Sequence, residues 1–193
     1  MEVELKNGQM TVYSRPDLQG SLTHNGIEIA KLSSFQRIIL TTDGTLTHIL
    51  EAYLLEAIQV VKLSEGFVGL TQSSASLNLN VGDEVIERKI LLQGKTSKRN
   101  WIYAESVIVP DRLDERFRER LLKSHESIGR LWLEQGIETF KEIIHSNEQF
   151  AENLSEYFNI SKQEKLFSRT YRVFSNRQLI MTITEKFPTS YFV

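Results

Sequence analysis

The sequence predicts an α+β protein: a six-stranded antiparallel sheet with helices packed on one face. Three observations predict it. Several segments alternate apolar and polar residues with the two-residue period of a half-buried strand. The segments with helical spacing are grouped rather than interleaved with the strands, as in antiparallel α+β folds. Two of the strands also carry an ion on their apolar face, and a sheet tolerates that only where the ion has a partner or lines a cavity.

Taken in chain order, the first forty residues are broken by Gly8, Pro16, Gly20 and Gly26, and only Ile38-Ile39-Leu40 is committed to a core. After Thr41-Thr42-Asp43-Gly44 a helix is predicted, with Thr45 or Thr47 near its cap and Leu46, Ile49, Leu50, Tyr53 and Leu54 on one stripe. Strands are predicted from Ala57 to Leu63 and from Phe67 to Thr71, separated by a turn at Ser64-Glu65-Gly66. A third runs from Glu84 to Leu92 and returns through Gln93-Gly94-Lys95-Thr96-Ser97 into Trp101 to Val109, where Pro110 ends it.

From Asp111 to about Phe158 the pattern is helical. Leu113, Phe117, Leu121 and Leu122 form one stripe, continued in pieces by Ile128, Leu131, Trp132, Ile137, Phe140, Ile143 and Ile144. Gly129 and Gly136 interrupt it, so two or three short helices are expected. The chain ends in a hairpin, Leu166 to Phe174 and Leu179 to Phe187, turned at Ser175-Asn176-Arg177-Gln178. The whole of residues 1–193 reads as a single domain.

The two ions follow from parity. Arg88 aligns with Ile86, Ile90 and Leu92, and Glu185 with Leu179, Met181, Ile183 and Phe187. Opposite charges on core faces point to a small enclosed site for a polar, anionic ligand. Two ordinary arrangements would also satisfy them: a salt bridge of Arg88 to Glu185, or a place at a sheet edge within reach of water.

With 193 residues, 40% of them hydrophobic, folding buries roughly 70% of the unfolded chain's surface, enough for a core and an internal pocket. No apolar run is long enough to span a bilayer and no signal-peptide pattern opens the sequence, so no membrane partner is expected. A net charge of −2 offers no field for nucleic acid. Arg112, Arg116, Arg118 and Arg120 are interleaved with Asp111, Asp114, Glu115 and Glu119, the composition of a solvated helix with i,i+4 pairs. Cysteine is absent, which removes disulfides, thiolate metal sites and cysteine nucleophiles and fits a cytoplasmic protein.

There is no GxGxxG, P-loop, GxSxG or HExxH. The histidines at 24, 48, 125 and 145 lack metal-ligand spacing, so no metal site is predicted.

Five segments resemble the chorismate pyruvate-lyases (4-hydroxybenzoate synthases), including their divergent branch. They are Leu40-Thr41-Thr42-Asp43-Gly44-Thr45-Leu46-Thr47 running into Leu50-Glu51-Ala52; Glu87-Arg88-Lys89-Ile90-Leu91-Leu92; the strand from Tyr103-Ala104-Glu105-Ser106 to Pro110; Ser127-Ile128-Gly129-Arg130; and Ile183-Thr184-Glu185-Lys186-Phe187-Pro188. The resemblance runs in consistent order from about residue 38 to 188.

It implies the same fold, with the helices covering an internal cavity, and conversion of chorismate, a small-molecule substrate, to 4-hydroxybenzoate and pyruvate with no cofactor. By the same resemblance Arg88 holds the ring carboxylate and Glu185 faces the ring hydroxyl, where it could donate a hydrogen bond or a proton. The backbone N–H groups of Leu46 and Ile128 assist with the carboxylate. Arg130 and Arg172 are the candidates for the substrate's second carboxylate. The ligand-sensing domains of bacterial transcription regulators look like this fold and bind effectors without catalysis, but the first forty residues read as too short and too weakly helical for the DNA-binding module that precedes such domains.

Overall fold

The computed structural model describes residues 3–6, 9–12, 27–123 and 126–193. The expectations placed on Gly8, Pro16, Gly20, Gly26, His24 and His125 lie outside the described residues. A small hairpin, β1 (Val3–Lys6) and β2 (Gln9–Val12), comes first. The main sheet contains β3 (Ile58–Gly69), β4 (Glu84–Gly94), β5 (Asn100–Ile108), β6 (Phe140–Phe150), β7 (Lys165–Ser175) and β8 (Gln178–Pro188). Its order is β3-β4-β5-β8-β7-β6, antiparallel throughout. The β4, β5, β7 and β8 strands stand inside the sheet, while β3 and β6 form its edges.

Two helix pairs cover the face that carries Arg88 and Glu185. The first is α1 (Ser34–Thr41) with α2 (Leu46–Leu54), the second α3 (Glu115–Lys123) with α4 (Ile128–Gln135). The α1 helix, unread in the sequence, begins at a capping box in which the Ser33 hydroxyl accepts from Gln36 N–H and the Gln36 side chain accepts from Ser33 N–H. Gln36 Nε2 also donates to the Thr189 and Tyr191 carbonyls, both at 2.8 Å, tying the chain's C-terminus to this helix. Of the Ile38-Ile39-Leu40 triplet, Ile39 and Leu40 are fully buried and Ile38 is exposed. The single-turn α5 (Ser155–Phe158) departs from the one-face arrangement: Tyr157 stacks on Tyr103, which shares the parity of Glu105 rather than of Ala104.

The structure corrects the sequence reading in five places. Ala57 to Thr71 is not two strands around a turn. It is one edge strand whose pairing with β4 shifts between Lys62 and Ser64. The extra residue of that bulge reverses the parity beyond it, so Glu65 lies opposite Arg88 and faces inward. Helix does not continue to Phe158: it ends at Gly136, whose φ of 62° is the left-handed C-cap, and residues 140–150 form edge strand β6. Phe140, Ile143 and Ile144 suit either period. Pairing with β7 decides the matter, with Phe140 and Ile144 left exposed at the edge and a bulge between Ile143 and His145.

Gly129 does not interrupt a helix but sits in the first turn of α4. Leu179 does not share a face with Met181. A register shift beyond Val173 sends it to a satellite cluster with Val85, Leu77 and Leu79, and Ile180 joins Met181 and Ile183 instead. Arg112 also departs from a solvated helix, because its guanidinium donates to the carbonyls of Leu77, Asn78 and Leu179.

Candidate active site

Between the helix pairs and the sheet lies a cavity of about 50 Å³. Its floor is Ile90 and Leu92 on β4, Ala104 and Ser106 on β5, Ile183 and Glu185 on β8, and Tyr171 on β7. Its roof is formed by two helix N-termini: Thr45, Leu46 and Thr47 at the start of α2, and Ser127, Ile128 and Gly129 at the start of α4. Leu46 and Ile128 are the first residues of their helices, so their N–H groups have no carbonyl acceptor within the helix. Two positive dipole ends therefore face one chamber.

The helix ends meet closely. A Cβ on Gly129 would stand 2.7 Å from Thr45 Cγ2, too near unless the Thr45 side chain or a helix end shifts. Gly129→Ala is therefore expected to destabilise the protein by about 1–3 kcal/mol through overpacking. Adding Thr45→Ser, which removes that methyl, should recover most of the loss; thermal unfolding of the single and double variants measures both effects.

Neither simple arrangement of the two ions occurs. Strand β5 separates β4 from β8, and each ion has its own partner. Arg88 is 1% exposed. Its Nη2 donates to the Glu126 carbonyl at 3.0 Å, and its Nε lies 3.2 Å from Glu65 Oε2 without hydrogen-bond geometry. The buried Nη1 has no acceptor among the described residues. Burial pulls the Arg88 pKa below its ordinary value and Glu65 opposes the shift; arginine nevertheless stays charged at any ordinary pH. Arg88 stands just behind the cavity wall, opposite Ser106 in the β4–β5 register and bonded to the residue preceding Ser127.

Glu185 lines the cavity directly and is 5% exposed. It accepts from Arg169 Nε at 2.7 Å and from the Tyr171 hydroxyl at 3.0 Å. Arg169, also 1% exposed, donates in addition to the Thr42 carbonyl at 2.9 Å. Burial and the adjacent Glu185 hold the Tyr171 phenol well above its usual pKa, so it stays a donor. Two donors, Arg169 and Tyr171, are thus directed at the Glu185 carboxyl oxygens.

The two arginines named for the second carboxylate do not line this cavity. Arg172 points to the other face of β7 and pairs with Glu142 at 3.1 Å. Arg130 is partly exposed, holds Glu51 at 3.0 Å, and borders a separate cleft with Lys95 and Gln59. Arg169, Tyr171, Glu65 and Lys141 were not singled out from the sequence. Arg169 and Tyr171 could have been, since both share the strand face of Phe167 and Val173. His48 and His145 are exposed, and among the described residues no cluster of His, Cys, Asp or Glu is built to hold a metal.

An α+β sheet roofed by helices over a partly enclosed cavity is an arrangement that solved proteins share. PhnF of Mycobacterium smegmatis superposes with a TM-score of 0.59 at 12% identity over 76% of this chain and 64% of its own. A GntR-family transcriptional regulator of Bacillus cereus superposes at 0.54 and 12% identity, over 70% of this chain and 94% of its own. The sequence is more specific. Residues 40–192 match the family described as Chorismate pyruvate-lyase Rv2949c-like, and this chain belongs to that family. The chorismate pyruvate-lyase of Mycobacterium tuberculosis (strain H37Rv) is 31% identical over 173 residues, covering 86% of this chain and 85% of its own length.

Proposed function

We propose that the protein converts chorismate to 4-hydroxybenzoate and pyruvate, with Arg88 and Glu185 at opposite ends of the bound ring. The observation that carries this reading is a pair of differently employed buried arginines. Arg169 is spent on Glu185 and Thr42, whereas the buried Nε and Nη1 of Arg88 have no hydrogen-bond acceptor among the described residues. A planar guanidinium with such donors, bonded to the residue that precedes the α4 N-cap, is suited to a carboxylate. Glu185, at the other end, accepts from the ring hydroxyl.

In the reaction the ether C–O bond breaks and its electron pair leaves with the three-carbon fragment. The hydroxyl-bearing ring carbon gives up its hydrogen, and the methylene carbon of the fragment gains a proton to become the methyl group of pyruvate. The atoms of chorismate are thus divided between the two products without oxidant, water or cofactor, and aromatisation of the ring supplies the driving force. The chain's task is to hold both ends of the substrate in a reactive conformer away from water. A chamber of about 50 Å³ accommodates only a few waters, so it has to widen to admit the ring.

Incubating the purified protein with chorismate should release pyruvate and 4-hydroxybenzoate in equal amounts, read by coupled pyruvate reduction and by product absorbance. Binding of 4-hydroxybenzoate without any pyruvate release would instead assign the chamber to ligand sensing, as in a regulator's effector domain.

A further inference from the structure

Chorismate carries two carboxylates, and Arg88 accounts for one. The second belongs to the enolpyruvyl group, which is attached to the ring carbon next to the hydroxyl-bearing one. If Glu185 faces the hydroxyl, the second carboxylate must lie at the Glu185 end, far from Arg88. That end of the chamber has a cation of its own: Lys141 on β6 lines the cavity together with Glu185, Tyr171 and Trp132. Its Nζ donates to the Gly44 carbonyl at 2.8 Å and stands 5.8 Å from the ring centres of both Trp132 and Tyr171. An ammonium has three donors, and among the described residues the Gly44 carbonyl takes one, leaving two for a ligand. Arg169 is nearby but, besides being absent from the lining as Arg88 is, it is already committed to Glu185 and Thr42.

We propose that Lys141 is a substrate-binding residue that takes the enolpyruvyl carboxylate and stabilises the negative charge developing on the departing three-carbon fragment. This rests on the chorismate reading above and adds the residue that separates the dianionic substrate from its monoanionic aromatic product. 4-Hydroxybenzoate has nothing for Lys141 to hold, so the same contact favours substrate over product and eases product release. A lysine suits a fragment that must move as it leaves, being a point charge on a flexible stem rather than a fixed fork.

Burial lowers the Lys141 pKa, opposed by Glu185 on β8 and Asp43 in the α1–α2 turn and aided by Arg169 on β7. Tyr171, raised well above its ordinary value, does not titrate in the same range. The ammonium is the form that binds an anion, so preference for the dianion should fade with rising pH, and should do so below the range of an ordinary lysine.

Lys141→Met removes the charge and keeps the length of the side chain. In this variant kcat/KM for chorismate should fall about 100-fold, as expected for loss of one charge-stabilising donor. The dissociation constant for 4-hydroxybenzoate, measured by calorimetry, should stay within about threefold, which also certifies the fold. The ratio of the two constants should decline with pH in the wild type and be flat in the variant. Equal losses toward both ligands, unchanged kcat/KM, or the same pH dependence in both proteins would overturn the assignment while leaving the lyase reading intact. A wild-type protein that releases no pyruvate overturns both.

Discussion

Replacing Arg169 with methionine is expected to lower the unfolding free energy by about 3–5 kcal/mol, the usual cost of breaking a buried ion pair from one side. Arg169 and Glu185 are both almost completely shielded from solvent and joined at 2.7 Å. Removing the guanidinium also takes the donor from the Thr42 carbonyl, which begins the turn into α2. For a domain of this size the melting temperature should fall by roughly 6–20 °C. Combining the change with Glu185→Leu removes both charges and should restore part of the loss, because two apolar residues of similar volume tolerate burial better than one orphaned ion. A single variant that melts with the wild type would show that the pair contributes nothing to the fold.

Arg88→Ala is expected to behave in the opposite way, reducing turnover of chorismate by about 100- to 1000-fold with a modest effect on stability. The difference lies in the partners. Glu65, which faces Arg88, already holds Lys62 at 2.6 Å, so the carboxylate keeps a counter-ion when the arginine is gone. Arg88→Lys should recover little, since a point charge cannot present the two parallel N–H groups that a planar carboxylate accepts. Pyruvate release at the wild-type rate from Arg88→Ala would remove Arg88 from the reaction, and wild-type melting accompanied by lost turnover would support the role proposed for it.

How legible the site was depends on where each residue stands in the sheet. Arg88 and Glu185 lie on β4 and β8, interior strands in which strict alternation sends every second side chain to the covered face. Arg169 and Tyr171 lie on an interior strand too, and the same parity applied to Phe167 and Val173 reaches them. Glu65 and Lys141 were beyond that reasoning. Both belong to edge strands with bulges, where one extra residue changes which side chains face inward. The Ser64-Glu65-Gly66 sequence also resembles a turn, and Phe140, Ile143 and Ile144 fit a helical stripe as well as a strand.

From the residues alone came the α+β class, the grouping of the helices, the interior strands with their two inward ions, and the likeness to the chorismate pyruvate-lyases, all of which depend on local periodicity and short ordered motifs. Only the tertiary structure decided which ion each one partners, which arginine keeps unused donors, and that a lysine from the far edge of the sheet reaches the chamber. The physical reason is that a charge chooses its counter-ion by distance in the folded state, and strands distant in sequence set that distance: Glu65 and Arg88 are paired by the β3–β4 register, and Arg169 and Glu185 by the β7–β8 register.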